Sequence, residues 1–173
     1  MGSMNTKLDL NTFQLETFRD EWKSELTTWI TSFQDLYLWS GKTFENGFTP
    51  SSLEKHQKRT DVKSFALTDK EKNICCYGEL VLGENRTGTL CRIITHPQKR
   101  GKGLGTKFCS LLIRAARDRL KLKSISLNVL GCNQNAIVCY RSVGFKIDLV
   151  RPKARKFDGT FQDLIYMSFI LTD

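Results

Sequence analysis

Gln98-Lys99-Arg100-Gly101-Lys102-Gly103-Leu104-Gly105-Thr106 stands between an apolar, strand-like run, Leu90 to Thr95 with Pro97 behind it, and an amphipathic helical stretch. Glycines at alternate positions 101, 103 and 105 leave the backbone bare, while Arg100 and Lys102 supply positive charge. A turn of this kind at a helix N-terminus presents unpaired N–H groups, which suit a phosphate. The missing Cβ atoms let a pyrophosphate come close. No G-x-x-x-x-G-K-[ST] run occurs, so the stretch is not a nucleotide-triphosphate loop of that type. The dinucleotide pattern fails as well, because Gly101 and Gly103 lead to Thr106 at the third position and no β-α-β unit opens the chain. A glycine-rich turn without a ligand stays open at this point.

The chain has 173 residues, 40% hydrophobic and 26% charged, which fits one globular domain. Met1-Gly2-Ser3 ahead of Met4 reads as a remnant of expression, leaving residues 4–173 as a single domain. No apolar run approaches the roughly 18 residues of a membrane span, and no leader-like segment opens the chain. A soluble, cytoplasmic protein with no membrane partner is expected. The six cysteines form no C-x-x-C pair, and only two histidines could assist them, so buried reduced thiols are expected and no metal site. The net charge of +9 is scattered along the chain. No repeat of alternating aromatic and basic residues suggests stacked bases. One polyanionic small molecule therefore explains the balance better than nucleic acid.

Outward from the glycine turn, the hydrophobic period changes along the chain. From Phe13 to Trp39, apolar residues recur at steps of three and four, which predicts a helical region. Thr49-Pro50 predicts a capped helix start before Leu53 to Arg59. Val62 to Leu67, Ile74 to Leu82 and Leu90 to Thr95 read as strands of an antiparallel meander. Leu104, Phe108, Leu111, Leu112 and Ala115 then mark one helical stripe. Ser124 to Leu130 alternates as a strand, Asn133 to Val143 reads as a short helix stopped by Gly144, and Phe145 to Val150 and Phe161 to Leu171 read as strands around a polar loop holding Asp158-Gly159.

Asn133, Ala136 and Tyr140 share one face of that short helix, and Gly144-Phe145 follows. Read alone, this set is equally a packed helix with Asn133 as its N-cap. Together with the glycine turn it resembles the GNAT superfamily of acetyl-CoA-dependent N-acetyltransferases. The family motif Q/R-x-x-G-x-G/A is met by Gln98, Gly101 and Gly103, and again by Arg100, Gly103 and Gly105. The later motif N-x-x-A-x-x-x-Y-x-x-x-G-F is met by Asn133, Ala136, Tyr140, Gly144 and Phe145. The close of the chain, from Gly159 to Met167, is similar to the last hairpin of the ribosomal-protein and polyamine acetyltransferase branches. The likeness spans roughly residues 74 to 170.

The resemblance implies an α/β (α+β) GNAT fold. Its mixed, mostly antiparallel sheet has six to seven strands, splays between the fourth and fifth, and is flanked by about four helices. It implies acetyl-CoA bound with its pyrophosphate on Arg100, Gly101, Lys102, Gly103, Leu104, Gly105 and Thr106. The pantetheine would lie along Ile93, Ile94 and Thr95, with Asn133 reaching it and Ala136 leaving room. An amine would attack the thioester directly in a ternary complex. Tyr140 matches the family's proton donor to the leaving thiolate, and no cysteine is needed as a nucleophile. Many relatives carry a glutamate on the fourth strand, and Leu90 to Thr95 has none. Glu79 is the nearest carboxylate by sequence, either a base reaching the pocket or an exposed strand glutamate; Asp163 is a second candidate. Trp39 and Phe44, in an aromatic segment, are candidates for the acceptor pocket or for core packing.

The expected activity is acetyl transfer to a primary amine of a small molecule or peptide, by a monomer or homodimer. Two other classes are a non-catalytic acyl-CoA-binding module on the same fold and a basic nucleic-acid-binding protein. An intact Tyr140 speaks against the first, and the absence of base-stacking repeats against the second.

Overall fold

In the computed structural model, which describes residues 9–171, the strands lie in one seven-stranded sheet. The proposed expression remnant, Met1 to Ser3, lies outside the described residues. The strands are β1 (Gln14–Thr17), β2 (Val62–Thr68), β3 (Ile74–Leu82), β4 (Thr87–Thr95), β5 (Ser124–Leu130), β6 (Lys146–Phe157) and β7 (Thr160–Ile170), ordered β1-β2-β3-β4-β5-β7-β6. Every neighbouring pair is antiparallel except β4 and β5, which run parallel. That pair is joined only at Thr87–Ser124, Gly88–Ile125 and Thr89–Ser126, and beyond Thr89 the two strands part. The helices are α1 (Lys23–Thr27), α2 (Phe33–Ser40), α3 (Pro50–Gln57), α4 (Leu104–Asp118) and α5 (Gln134–Ser142). This is the GNAT-like α/β architecture expected from the motifs. No helix among the described residues is long and apolar enough to cross a membrane.

Apolar residues divide between the two faces of the sheet. On one face Phe108, Leu112 and Ala116 of α4 meet Phe65, Leu67, Ile125 and Leu127. On the other, Trp22, Leu26 and Leu53 from the helical N-terminal third meet Ala66, Tyr77 and Ile94. Adjacent residues Phe65, Ala66 and Leu67 thus serve opposite cores, as strand alternation requires.

Three expectations need correction. The stretch from Phe13 to Trp39 is not uniformly helical: it opens with β1, whose Gln14-Leu15-Glu16-Thr17 pairs with Phe65 to Thr68 at the sheet edge. The remainder breaks into two short helices, because Ser32 starts α2 afresh by accepting from the Asp35 N–H at 3.0 Å. The polar loop at Asp158-Gly159 shrinks to a two-residue hairpin turn. Both residues have positive φ, 47° and 77°, the twist that suits tight hairpins. β6 therefore runs to Phe157 rather than stopping at Val150.

Candidate active site

The glycine turn sits at the head of α4. Gly103 is the N-cap, in the left-handed region at φ 80°, and it carries no side-chain cap. Among the described residues the backbone N–H groups of Gly101 to Thr106 make no hydrogen bond, and the first amide with an acceptor is that of Lys107, bonded to Gly103 O at 3.0 Å. A Cβ at Gly101 would meet nothing, so the space outside the turn is open. Consecutive free amides, a helix dipole and no competing side chain suit a diphosphate. Arg100 and Lys102 have no carboxylate partner among the described residues.

A cleft of about 610 Å³ runs from this turn along the end of β4 to α5. Its walls include Ile93, Ile94 and Thr95 of β4, Arg100, Gly101 and Gly103 to Thr106 of the turn, and Asn133, Ala136 and Tyr140 of α5. The residues expected from sequence to hold the ligand are thereby brought together, except Lys102, which is exposed and does not line it. Asn133 lines the cleft and also caps α5, accepting from the Ala136 N–H at 3.3 Å. Lys99 lines the cleft too, with its Nζ 3.2 Å from Asp69 Oδ2. The indole N–H groups of Trp29 and Trp39, both on its walls, are sealed from solvent and have no partner. Unpaired buried donors of this kind are costly unless an acceptor arrives.

A second chamber of about 290 Å³ adjoins the first. The two share Leu38, Trp39, Ile93, Asn133, Ala136 and Tyr140, so Tyr140 stands in their common wall. Its hydroxyl makes no hydrogen bond among the described residues, and its ring packs edge-on against Phe145 at 5.9 Å. Burial, followed by the neighbouring Cys109, Cys139 and Cys91, pushes its phenol well above its ordinary value. The group is protonated at neutral pH and able to donate.

Glu79 is not an exposed strand glutamate. It is fully buried on β3 and lines neither chamber. Its Oε2 accepts from Arg92 Nε at 2.7 Å and lies 2.9 Å from His56 Nε2, while Tyr77 donates to Oε1 at 2.5 Å. Burial alone would raise its carboxyl, but the bonds from His56 and Arg92, with the charge of Arg92, bring it below its ordinary value. Arg92 is the extra residue of a β-bulge, where Tyr77–Ile94 and Glu79–Cys91 pair across one added position, and it has φ 51°. The ion pair pins this unusual backbone from behind. Asp163 also lines neither chamber; its Oδ1 accepts from the Lys153 N–H at 3.0 Å.

Trp39 lines both chambers. Phe44 does not, which corrects its expected place in the acceptor pocket: it is a core residue, stacked 5.9 Å behind Trp39 and packed against Phe48. Sequence reasoning passed over Arg92 and Arg155, which line the second chamber. Arg155 comes from β6, in the segment read from sequence as a loop.

Comparison with known proteins agrees with this geometry. The acetyltransferase (GNAT) family model matches residues 18–145. The chain belongs to the GNAT acetyltransferase family. The L-amino acid N-acyltransferase MnaT of Escherichia coli (strain K12) is 32% identical over 81 residues, a match that spans about half of each protein, 47% of this chain and 46% of the relative. Among solved structures, the spermidine N-acetyltransferase of Vibrio cholerae in complex with CoA and spermine has a TM-score of 0.80 at 20% identity, covering 92% of this chain and 96% of that one. A chimera of Vibrio cholerae SpeG and hSSAT gives 0.77 at 21%, covering 92% and 95%. At such identities the likeness is one of fold.

Proposed function

We propose that this protein is an acetyl-CoA-dependent N-acetyltransferase acting on a primary amine of a small molecule or peptide. The observation that carries the reading is the junction of the two chambers at Tyr140, with the free amides of Gly101 to Thr106 at the far end of one of them. Acetyl-CoA, when bound, supplies a thioester carbonyl to the amine.

The turn and the head of α4 hold the diphosphate through backbone N–H groups, aided by Arg100 and Lys99. The edge of β4 from Ile93 to Thr95 faces the gap left by β5 and offers its backbone to an amide-bearing arm. The bulge at Arg92 re-aims the β4 backbone on the chamber wall, where an N–H would stabilise negative charge developing on a bound thioester carbonyl. Tyr140 gives its proton to the departing sulfur. Glu79 acts through Arg92 as a positioning residue rather than as the base. No carboxylate lines the acceptor chamber among the described residues, so the amine loses its proton to water. The acceptor printed for one relative is an L-amino acid and for another spermidine; the choice for this chain depends on the chamber itself. The reading also places the protein in the cytoplasm, where acetyl-CoA is available.

The test is calorimetric binding of acetyl-CoA followed by CoA release with a panel of amines. Binding with turnover on at least one amine is expected. Binding with no release from any amine would instead make the chain an acyl-CoA-binding module.

A further inference from the structure

We infer that the acceptor amine carries a carboxylate, and that Arg155 on the β6–β7 hairpin is the residue that reads it. This rests on the transferase reading above and narrows its substrate class.

The acceptor chamber is donor-rich and acceptor-poor. Its two charged side chains are Arg92 and Arg155, and no Asp or Glu lines it among the described residues. Arg92 is largely committed, because its Nε and Nη2 both serve Glu79 and its Nη1 lies 3.3 Å from Thr43 Oγ1. Arg155 is not: it is exposed, has no carboxylate partner among the described residues, and makes one hydrogen bond, to Ala154 O at 3.3 Å. Asn128 and the unpartnered indole N–H of Trp39 belong to the same walls. Asp35 lines the adjoining cleft, where it accepts from Ser32 Oγ at 2.8 Å, and Glu45 and Asp158 line a separate cavity that shares only Tyr37 and Gly41 with this chamber.

A polyamine entering this chamber would bring two or more ammonium groups into a site whose fixed charges are positive, with no carboxylate on its own walls to pair them. An amino acid brings one carboxylate and one amine. The carboxylate can take a two-pronged pair with the Arg155 guanidinium, leaving the amine free to approach the wall at Tyr140. The volume, about 290 Å³, lies at the small end of ligand pockets and fits a molecule of amino-acid size.

The test compares L-amino acids with the matching amino-acid amides, and with spermidine, as acceptors by CoA release. In parallel, the N-acetylated acids and amides are titrated by calorimetry onto the protein–CoA complex. The acids should exceed their amides by about tenfold or more in kcat/KM and in affinity. Arg155→Gln should bring both ratios towards one, chiefly through KM, and Arg155→Lys should keep part of the preference. Lys146→Gln, which removes a charge from the same strand outside the chamber, should leave the ratios in place. Amides or spermidine matching the acids, or ratios unmoved by Arg155→Gln, would overturn the inference. If acetyl-CoA binds and no amine releases CoA, the transferase reading fails, and the calorimetric comparison of acids with amides still decides the role of Arg155.

Discussion

Arg92 Nη2 lies 2.5 Å from Glu79 Oε2, so the guanidinium on the wall of the second chamber is anchored to a carboxylate with no exposure at all. The pair crosses from β3 to β4 at the bulge and ties the strained backbone of Arg92 to His56 and Tyr77, which bond the same carboxylate.

Glu79→Gln removes the negative charge and leaves Arg92 buried without its counter-ion. The expected loss of stability is roughly 3 kcal/mol, the scale found when one member of a buried pair is deleted. Urea denaturation of both proteins at neutral pH measures it. A loss below about 0.5 kcal/mol would mean that solvent reaches the pair.

The same carboxyl gives a pH dependence of definite sign. Its folded value lies below its ordinary one, so its contribution is complete above the unfolded value and is lost as pH falls through the folded value. The urea midpoint of the wild type should therefore fall more steeply below about pH 4.5 than that of Glu79→Gln. Parallel curves would place the loss on other carboxylates.

Tyr140→Phe keeps the ring that packs on Phe145 and deletes the donor at the junction. The expected result is a kcat lower by about 100-fold with acetyl-CoA affinity changed by less than about threefold. Single-turnover kinetics and calorimetry separate the two. An unchanged kcat would remove Tyr140 from the donor role.

Gly78 marks a place where β3 has no room for a side chain. A Cβ there would collide with Ile93 and come within 2.8 Å of Phe108 Cε1. Gly78→Ala should cost about 1–3 kcal/mol of stability. Because Ile93 lies on the wall common to both chambers, it should also weaken acetyl-CoA binding. Thermal melts and calorimetry on one preparation test both effects.

The glycine turn, the Asn133–Phe145 helix and most strands were legible because each rests on local rules: a left-handed cap, a shared helical face, alternation along a strand. β1 was hidden because the helical spacing of Phe18, Trp22, Leu26, Trp29, Ile30 and Phe33 was carried back to Phe13, over four residues too few to show their own alternation. Glu79 was misplaced for a different reason. Alternation puts it on the face of Tyr77, but only the fold brings His56 and Arg92 there to make burial tolerable. Arg155 depended on the length of β6, fixed by a two-residue turn at Asp158-Gly159 that lets the hairpin reach the chamber.

The parting of β4 from β5 has a mechanical side. Two leaves of sheet, β1–β4 and β5–β7, meet along a spine of three residue pairs at one end. A molecule lying in the gap touches both leaves and acts as a clasp. Amide exchange in Ile93 to Thr95 and in Asn128 to Leu130 should then slow together on loading, because the two leaves would open only as one unit.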